Sequence, residues 1–591
     1  MHKLIVLILG LLMLPASTLA ASVNYRLAIT QPQHHLAEVE VQFPQTDHDT
    51  LMIKMPNWRS GRYQLLPLAD GVRRLQVTDA QGQPLEWQKV ARGSWRVALT
   101  APTRVTVRYQ LYANELGDRS RHIDDSHGFL DASGVFMYSP EFRDQPLRVE
   151  LSVPEAWRSV SGMDSPAPHQ FVADNYDVLV DSPIETGVHQ SVSFALDGRD
   201  YQVLFWGEGN YDVDAIVEDL RRLVAEGAAL WGGYPYERYV FMIHATSGAR
   251  GATEHLNSTV IQRTRNSFRK REQYLPFIAT ASHEFVHTWN VKAYRPAGLT
   301  PYDYQQENYT RLLWLAEGST SYFQNQLLLR AGVITVEEFL QDVARRIERS
   351  EATPGRQWQS VAEASFNEWI ATGGDYARNH SVNIYSEGYL ASWALDLAII
   401  DRTDADKSYR DLHRYLYQNH RLPDGFTEQD VKDGLRLLTG TSFEPWWQQA
   451  IDSPNVLDFD AMLAQVGLQR KGSDQDEVAE LGLKVNEDQG LATVTHVRRD
   501  GPAWQAGLTT EDRVVAINGM RVPASQWQDR LAELPLDVPV SLTLFRRDRL
   551  MTLSLTPERR HPGKLVLEAQ ADVSPAQKAA FRAWAGIDWP Y

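Results

Sequence analysis

His283-Glu284-Phe285-Val286-His287 is the stretch from which this chain is read. Residues four apart on a helix lie on one face, so both imidazoles can reach one metal ion, with Glu284 beside them as general base. The flanks Phe277-Ile278-Ala279-Thr280-Ala281 and Val291 suit a helix over 277–291. With 17 His in 591 residues and an ordinary Glu content, roughly 0.03 such matches arise by chance. A hydrolytic zinc needs a third protein ligand and one open position. Trp314-Leu315-Ala316-Glu317-Gly318 supplies Glu317, a carboxylate in an apolar helical pattern, where it is costly unless paired or metal-bound. The expected ligand set is His283, His287 and Glu317 around one Zn2+ per chain. Such a set favours zinc and leaves cobalt or manganese open.

Composition narrows the classes. There is no Cys, which excludes disulfides, thiol catalysis, iron–sulfur clusters and Cys-ligated zinc. The net charge of −16 argues against a nucleic-acid binder and against binding to an anionic membrane surface. A hydrophobic fraction of 43% with 23% charged residues is that of a globular protein, and the length predicts several domains.

The start reads as a secretory signal peptide. Lys3 precedes an apolar run from Leu4 to Leu14, Pro15 breaks it, and small residues lead to a cut after Ala20. The run is shorter than a membrane span needs. The expected location is periplasmic or secreted.

The rest divides by pattern into a multidomain α+β chain. Residues 21–197 alternate, as in Val39-Glu40-Val41-Gln42-Phe43, with turn clusters such as Asp79 to Pro84, and read as an antiparallel β domain. Residues 198–330, with a strand over 238–243 and helices over 213–229, 277–291 and 312–331, form the catalytic domain. Residues 331–469 are helical, with helices over 335–349 and 389–400 and a capping box of Thr335 and Glu338. A polar linker, Arg470 to Glu477, precedes short strands over 478–560. A tail over 561–591 ends in a helix capped by Ser574, begun at Pro575 and stopped at Gly586. The basic run from Arg263 to Arg271 reads as a solvated face.

The wider words resemble the glycyl aminopeptidase family of gluzincin metallopeptidases: His283 to Lys292, Arg295-Pro296, Leu313 to Tyr322, and Met55-Pro56-Asn57-Trp58 with Gly61 and Tyr63. The resemblance implies a thermolysin-like catalytic domain. Gly251-Ala252-Thr253-Glu254-His255 is similar to the family's Gly-Gly-x-Glu-His word, with Ala252 replacing Gly. It implies a substrate-binding strand on which Glu254 holds the substrate's free α-amine, flanked by Gly251 and His255. Tyr385-Ser386-Glu387-Gly388 resembles Tyr-x-Lys-Gly, with Glu387 replacing Lys, and implies that Tyr385 donates to the oxyanion. Glu480 to Val485, Asp500 to Leu508 and Asp512 to Gly519 resemble a PDZ domain of the bacterial protease type. In that domain the amides near Leu481, Gly482 and Leu483 would receive a peptide's C-terminal carboxylate; a purely packing role is the alternative.

The expected function is a zinc aminopeptidase that removes Gly or Ala from peptides with a free N-terminus. The Gly/Ala preference rests on the resemblance alone. The alternatives are a PDZ-assisted zinc endopeptidase and a non-catalytic periplasmic peptide-binding protein.

Overall fold

The computed structural model describes residues 22–471, 476–561 and 563–591; the expected leader, 1–20, lies outside them. The described chain forms two compact units, one of residues up to 57 with 67–115 and 120–188, the other of 58–66, 116–119 and 189–591.

The first unit is built from sheets. The largest has seven strands in the order Asp164–Ala167, Gln170–Ala173, Leu147–Ser152, Val23–Gln31, Leu36–Thr46, Thr103–Tyr112 and Val72–Thr78. Alternation drives it: Val39, Val41 and Phe43 are buried, as are Val105, Val107, Tyr109 and Leu111, while the residues between face outward. Pairing is antiparallel except between Val23–Gln31 and Leu147–Ser152. The turn after Val72–Thr78 is made by Asp79, whose Oδ1 accepts from Gln81 N (2.9 Å) and Gln83 N (2.8 Å).

The second unit opens with a five-stranded sheet: β1 (Gln190–Leu196), β2 (Arg199–Trp206), β3 (Arg238–Thr246), β4 (Gly251–Glu254) and β5 (Ser258–Thr264), ordered β1-β2-β3-β5-β4. β2, β3 and β5 are parallel, and β3 is buried along nearly its whole length. β4 pairs antiparallel with β5 and forms the edge. Helix α1 (Arg271–His287) packs on β5 and β4. It ends at His287, four residues before the expected boundary, because the chain turns sharply there and Val291 takes φ 112°.

A single π-turn over Trp314–Gly318 runs directly into α2 (Ser319–Arg330). Beyond it come α3 (Gly374–His380) and α4 (Ser386–Arg402). The capping box of Thr335 and Glu338 is present at the start of the helix Val336–Glu351. Gly318 and Gly388 lie where α2's entry crosses α4. A Cβ on Gly318 would stand 2.3 Å from the Gly388 carbonyl carbon, so neither position has room for a side chain.

A separate small core around Leu481, Val494, Val514, Trp527, Leu542 and Leu544 holds the strands after residue 480. In their sheet Leu483–Asp488 is an edge strand, paired with Leu491–Val497. This module is fixed to α3: Asp375 Oδ1 accepts from Val497 N (3.1 Å) and lies 2.7 Å from His496 Nδ1, and Asn379 Nδ2 donates to Val497 O (2.8 Å). The chain then returns. Leu567–Ala569 pairs with Leu468–Arg470, and the last helix, Pro575–Ala585, with the expected Ser574 and Gly586 caps, buries Phe581 and Trp584 in the main core against Phe339 and Trp393.

Candidate metal centre and active site

The two imidazoles are oriented before any ion is considered. His283 Nδ1 lies 2.9 Å from Gln324 Oε1 on α2, and His287 Nδ1 lies 2.9 Å from Asn290 O. Both partners are acceptors, so the Nδ1 atoms carry the protons and the Nε2 lone pairs face inward. Those two Nε2 atoms are 3.1 Å apart, and Glu317 Oε2 is 3.7 Å from His283 Nε2 and 3.2 Å from His287 Nε2. Two lone pairs and a carboxylate cannot satisfy one another; a cation among them satisfies all three. The donor set, two imidazole nitrogens and a carboxylate oxygen, fits zinc. Asn290 braces the third candidate ligand, its Nδ2 donating to Leu315 O, Ala316 O and Thr320 Oγ1, each at 3.0 Å, so the turn after α1 and the π-turn carrying Glu317 are tied together.

The pocket is electrostatically demanding. Burial works to raise the Glu317 carboxyl, but His287 and His283 outweigh it and hold it well below the ordinary range. Burial lowers His287, yet Glu317, Glu254 and Glu284 together lift it to about 9, so without a cation the ring takes a second proton on Nε2, in the place a metal ion would occupy against the Nε2 lone pair. Glu284 is pushed up to about 8, by burial first and by Glu254 and Glu317 next, with His287 and Arg119 opposing. One ligand atom each from Glu254, Glu284 and His287 lies within 4.8 Å of the others, as do those of His283, His287 and Glu317. The structure therefore brings five of the expected site residues together.

Residues 24–188 match the M61 peptidase N-terminal domain, 276–391 the M61 glycyl aminopeptidase catalytic domain, and 493–546 a PDZ domain. The chain belongs to the M61 peptidases. An aminopeptidase N family protein from Idiomarina loihiensis shares the fold over 95% of this chain and 100% of its own, with a TM-score of 0.87 and 26% identity. An M1 zinc metallopeptidase from Deinococcus radiodurans covers 71% of this chain and 91% of its own at 13% identity, TM-score 0.45. Native yeast LTA4 hydrolase covers 76% and 70% at 13% identity, TM-score 0.46. No curated protein matches significantly. The chain is thus a metallopeptidase with an N-terminal β domain, a gluzincin-like catalytic domain with a helical part, and a C-terminal PDZ domain.

Further residues of this M61 peptidase enter the site from segments distant in sequence. Tyr63 Oη donates to Glu317 Oε1 at 2.6 Å. Gly61, at φ +80°, brings main chain so close to Glu254 that a Cβ there would lie 2.5 Å from Oε2. Lys292, wholly buried, donates to Ser60 Oγ (2.9 Å) and stands 3.9 Å from Glu254 Oε1. Burial works to raise Glu254, but Lys292, His287 and Arg59 outweigh it, so the carboxylate stays ionised. Gly61 and Tyr63 are signalled in the sequence only through the family resemblance, and a lysine five residues past the second histidine carries no local sign of its partner.

Tyr385 precedes α4, where Asn383 Oδ1 accepts from the N–H groups of Tyr385 (3.0 Å) and Ser386 (3.1 Å). Its ring centroid is 6.2 Å from that of His283. Burial, then Glu317, keeps its hydroxyl protonated, as a donor must be. Glu387 turns away from this face: it is buried and accepts from Ser350 Oγ at 3.1 Å, so the residue replacing the family's Lys has a structural partner. Gly251 is packed on Asp118, and His255 is wholly buried where its N–H donates to Ser258 O (2.9 Å); these two flank Glu254 along the chain. In the PDZ domain Leu481 is buried and its carbonyl accepts from Ala503 N (2.9 Å), Gly482 takes φ +72°, and Leu483 begins the edge strand.

Within the run from Arg263 to Arg271 only Arg263 departs from the solvated reading; Arg269, Lys270 and Arg271 are exposed. Arg263 lies on β5, is 8% exposed, and donates to Pro276 O at 3.1 Å; Arg271 pairs with Glu338 at 2.7 Å. The strand is buried on both faces up to Arg263, and α1 packs over that cation. Among the described residues no helix is long and apolar enough to cross a membrane.

Proposed function

We propose that the chain is a zinc aminopeptidase that releases one small residue, Gly or Ala, from peptides with a free N-terminus. The carrying observation is the tightness of the pocket: a Glu254 oxygen lies within 4.8 Å of both Glu284 and a ligand nitrogen of His287. A carboxylate so close to the metal ligands leaves space for one α-amino-carbonyl group between the ammonium it holds and the carbon under attack. His283, His287 and Glu317 would hold the zinc, which when bound polarises the scissile carbonyl and acidifies water.

The chain's residues supply the remainder. Glu284 takes the proton of the attacking water and delivers it to the leaving amine. Glu254, kept ionised by Lys292, fixes the start of the peptide. Tyr385 donates its hydroxyl proton in a hydrogen bond to the oxygen that gains charge in the transition state; one such donor is worth ~3 kcal/mol. Tyr63 holds Glu317 in orientation. The Gly/Ala preference follows the family's glycyl aminopeptidase type. The PDZ domain would take a peptide C-terminus as an added strand on Leu483–Asp488, and the secretory leader expected at the N-terminus would send the enzyme to the periplasm or outside the cell.

The test is hydrolysis of one alanine-initiated peptide, free and N-acetylated, by the zinc-loaded protein. Cleavage of the free form alone supports the reading. Cleavage of both would make the enzyme an endopeptidase and remove Glu254 from its role; cleavage of neither would overturn the catalytic reading.

A further inference from the structure

The edge strand β4 also fixes where a substrate can end. The N–H of His255 donating to Ser258 O sets the alternation of the β4–β5 ladder. Thr253 with Val260 and Gly251 with Gln262 are then the hydrogen-bonded pairs, and the main-chain groups of Ala252 and Glu254 point away from β5. On that outward side Arg119 Nη2 donates to Ala252 O at 3.3 Å. Arg119 is held there by Asp118, whose Oδ2 is 3.4 Å from Nη1 and accepts from Thr253 Oγ1 at 3.0 Å. Its Nε is buried without a hydrogen-bond acceptor among the described residues, and the side chain as a whole keeps 30% of its surface open. Contacts to Ala252 and Asp118 engage two of its five N–H donors.

We propose that Arg119 receives the free α-carboxylate of a dipeptide whose α-amine is held by Glu254. The length fits. Ala252 and Glu254 are two residues apart on a strand, about 7 Å at ~3.4 Å per residue, and an extended dipeptide spans about the same distance from amine to carboxylate. A guanidinium also suits a planar carboxylate better than an ammonium does. The surrounding field agrees: burial works to lower the Arg119 pKa, but Asp118, Tyr385, Glu254 and Glu284 raise it. Arg263 adds positive charge that acts on Glu284 and Asp118. Dipeptides with small first residues are therefore the preferred substrate class, and main chain continuing past the second residue would meet the guanidinium.

This inference rests on the aminopeptidase reading, and the experiment separates the two. Wild-type enzyme is assayed on alanyl-alanine, its C-terminal amide, and trialanine. The free acid should exceed the amide in kcat/KM by about 10- to 100-fold, with trialanine losing a similar factor. In Arg119→Ala the acid-to-amide ratio should fall to about one, and Arg119→Lys should keep part of it. Equal wild-type rates on acid and amide would overturn the carboxylate assignment and leave the aminopeptidase reading standing. So would an Arg119→Ala variant that loses both substrates by one factor, since that is the signature of a strand support. A further overturning result is alanyl-aspartic acid α-amide behaving like alanyl-alanine in an Arg119-dependent way, because a side-chain carboxylate would then be the target. Hydrolysis of none of these peptides would overturn both readings.

Discussion

Gly318→Ala tests how the metal centre is held. The added Cβ would lie 2.3 Å from the Gly388 carbonyl carbon and 2.4 Å from its Cα. Ordinary contact begins at about 3.4 Å, so the π-turn and α4 must part by roughly 1 Å. Glu317 is the residue before Gly318, and Tyr385 is three residues before Gly388, so both ends of the site ride on that crossing. Overpacking costs about 1–3 kcal/mol, and alanine recovers about 1 kcal/mol over glycine in helix. Net destabilisation should therefore stay below about 2 kcal/mol. The metal is less tolerant, since ligand positions hold to about 0.2 Å, and zinc affinity should fall by ~10- to 100-fold. The assay is competition for zinc against a chromogenic chelator, with thermal unfolding followed in parallel. Gly233→Ala, where a Cβ would meet nothing within 4 Å, is the control expected to be neutral. A Gly318→Ala protein with wild-type zinc affinity and kcat would refute the claim that this glycine pair positions Glu317.

Other outcomes follow from the same geometry. Glu284→Gln should abolish turnover while the zinc content, measured by elemental analysis, stays at one per chain; normal turnover would remove it as the base. Glu317→Ala should lower zinc content, and Tyr63→Phe should weaken zinc binding by less; full occupancy in the first would strike Glu317 from the ligand set. Tyr385→Phe should cut kcat about 100-fold with little change in KM, so a pure KM effect would end its oxyanion role. His413, wholly buried, is held down to about 3 by burial. The unfolded chain binds its proton below about pH 6.5 and the folded chain does not, so this group costs stability as pH falls from 6.5 towards 3. At pH 5 the loss is about 2 kcal/mol relative to neutral pH, and His413→Gln should flatten the wild-type urea-stability difference between pH 7 and 5 by that amount. Parallel pH profiles for the two proteins would contradict this.

The candidate ligand set was legible because its chemistry is written into local periodicity. His283 and His287 share a helix face, and Glu317 stood out as a carboxylate in an apolar run. Alternation was equally plain in Val39 to Phe43. What the sequence hid is contact between distant segments. Tyr63, Gly61 and Arg119 reach the site from two short pieces, 58–66 and 116–119, that lie within the M61 N-terminal domain match yet pack with the catalytic unit. Nothing in their own neighbourhood signals a metal or a substrate. Arg263 was misjudged as solvated because charge runs usually face water; a strand buried on both faces reaches into the run, and α1 covers its first member. The early end of α1 was hidden too, since Asn290 acts through three bonds to carbonyls and a hydroxyl far along the chain.

The last helix has a consequence for how the molecule is made. Phe581 and Trp584 complete the core that contains Trp393 and Phe339, yet the PDZ domain is threaded through the chain between them. During synthesis α4, next to Tyr385, waits for its final packing partner until the ribosome has passed the whole PDZ domain. Cutting the chain at residue 472 removes that partner along with the module, whereas excising 476–560 and rejoining the ends keeps it. The core around α4 is thus closed by a helix made only after the PDZ domain, so the packing behind Tyr385 is completed later in synthesis than the strands and helices that carry His283, His287 and Glu317.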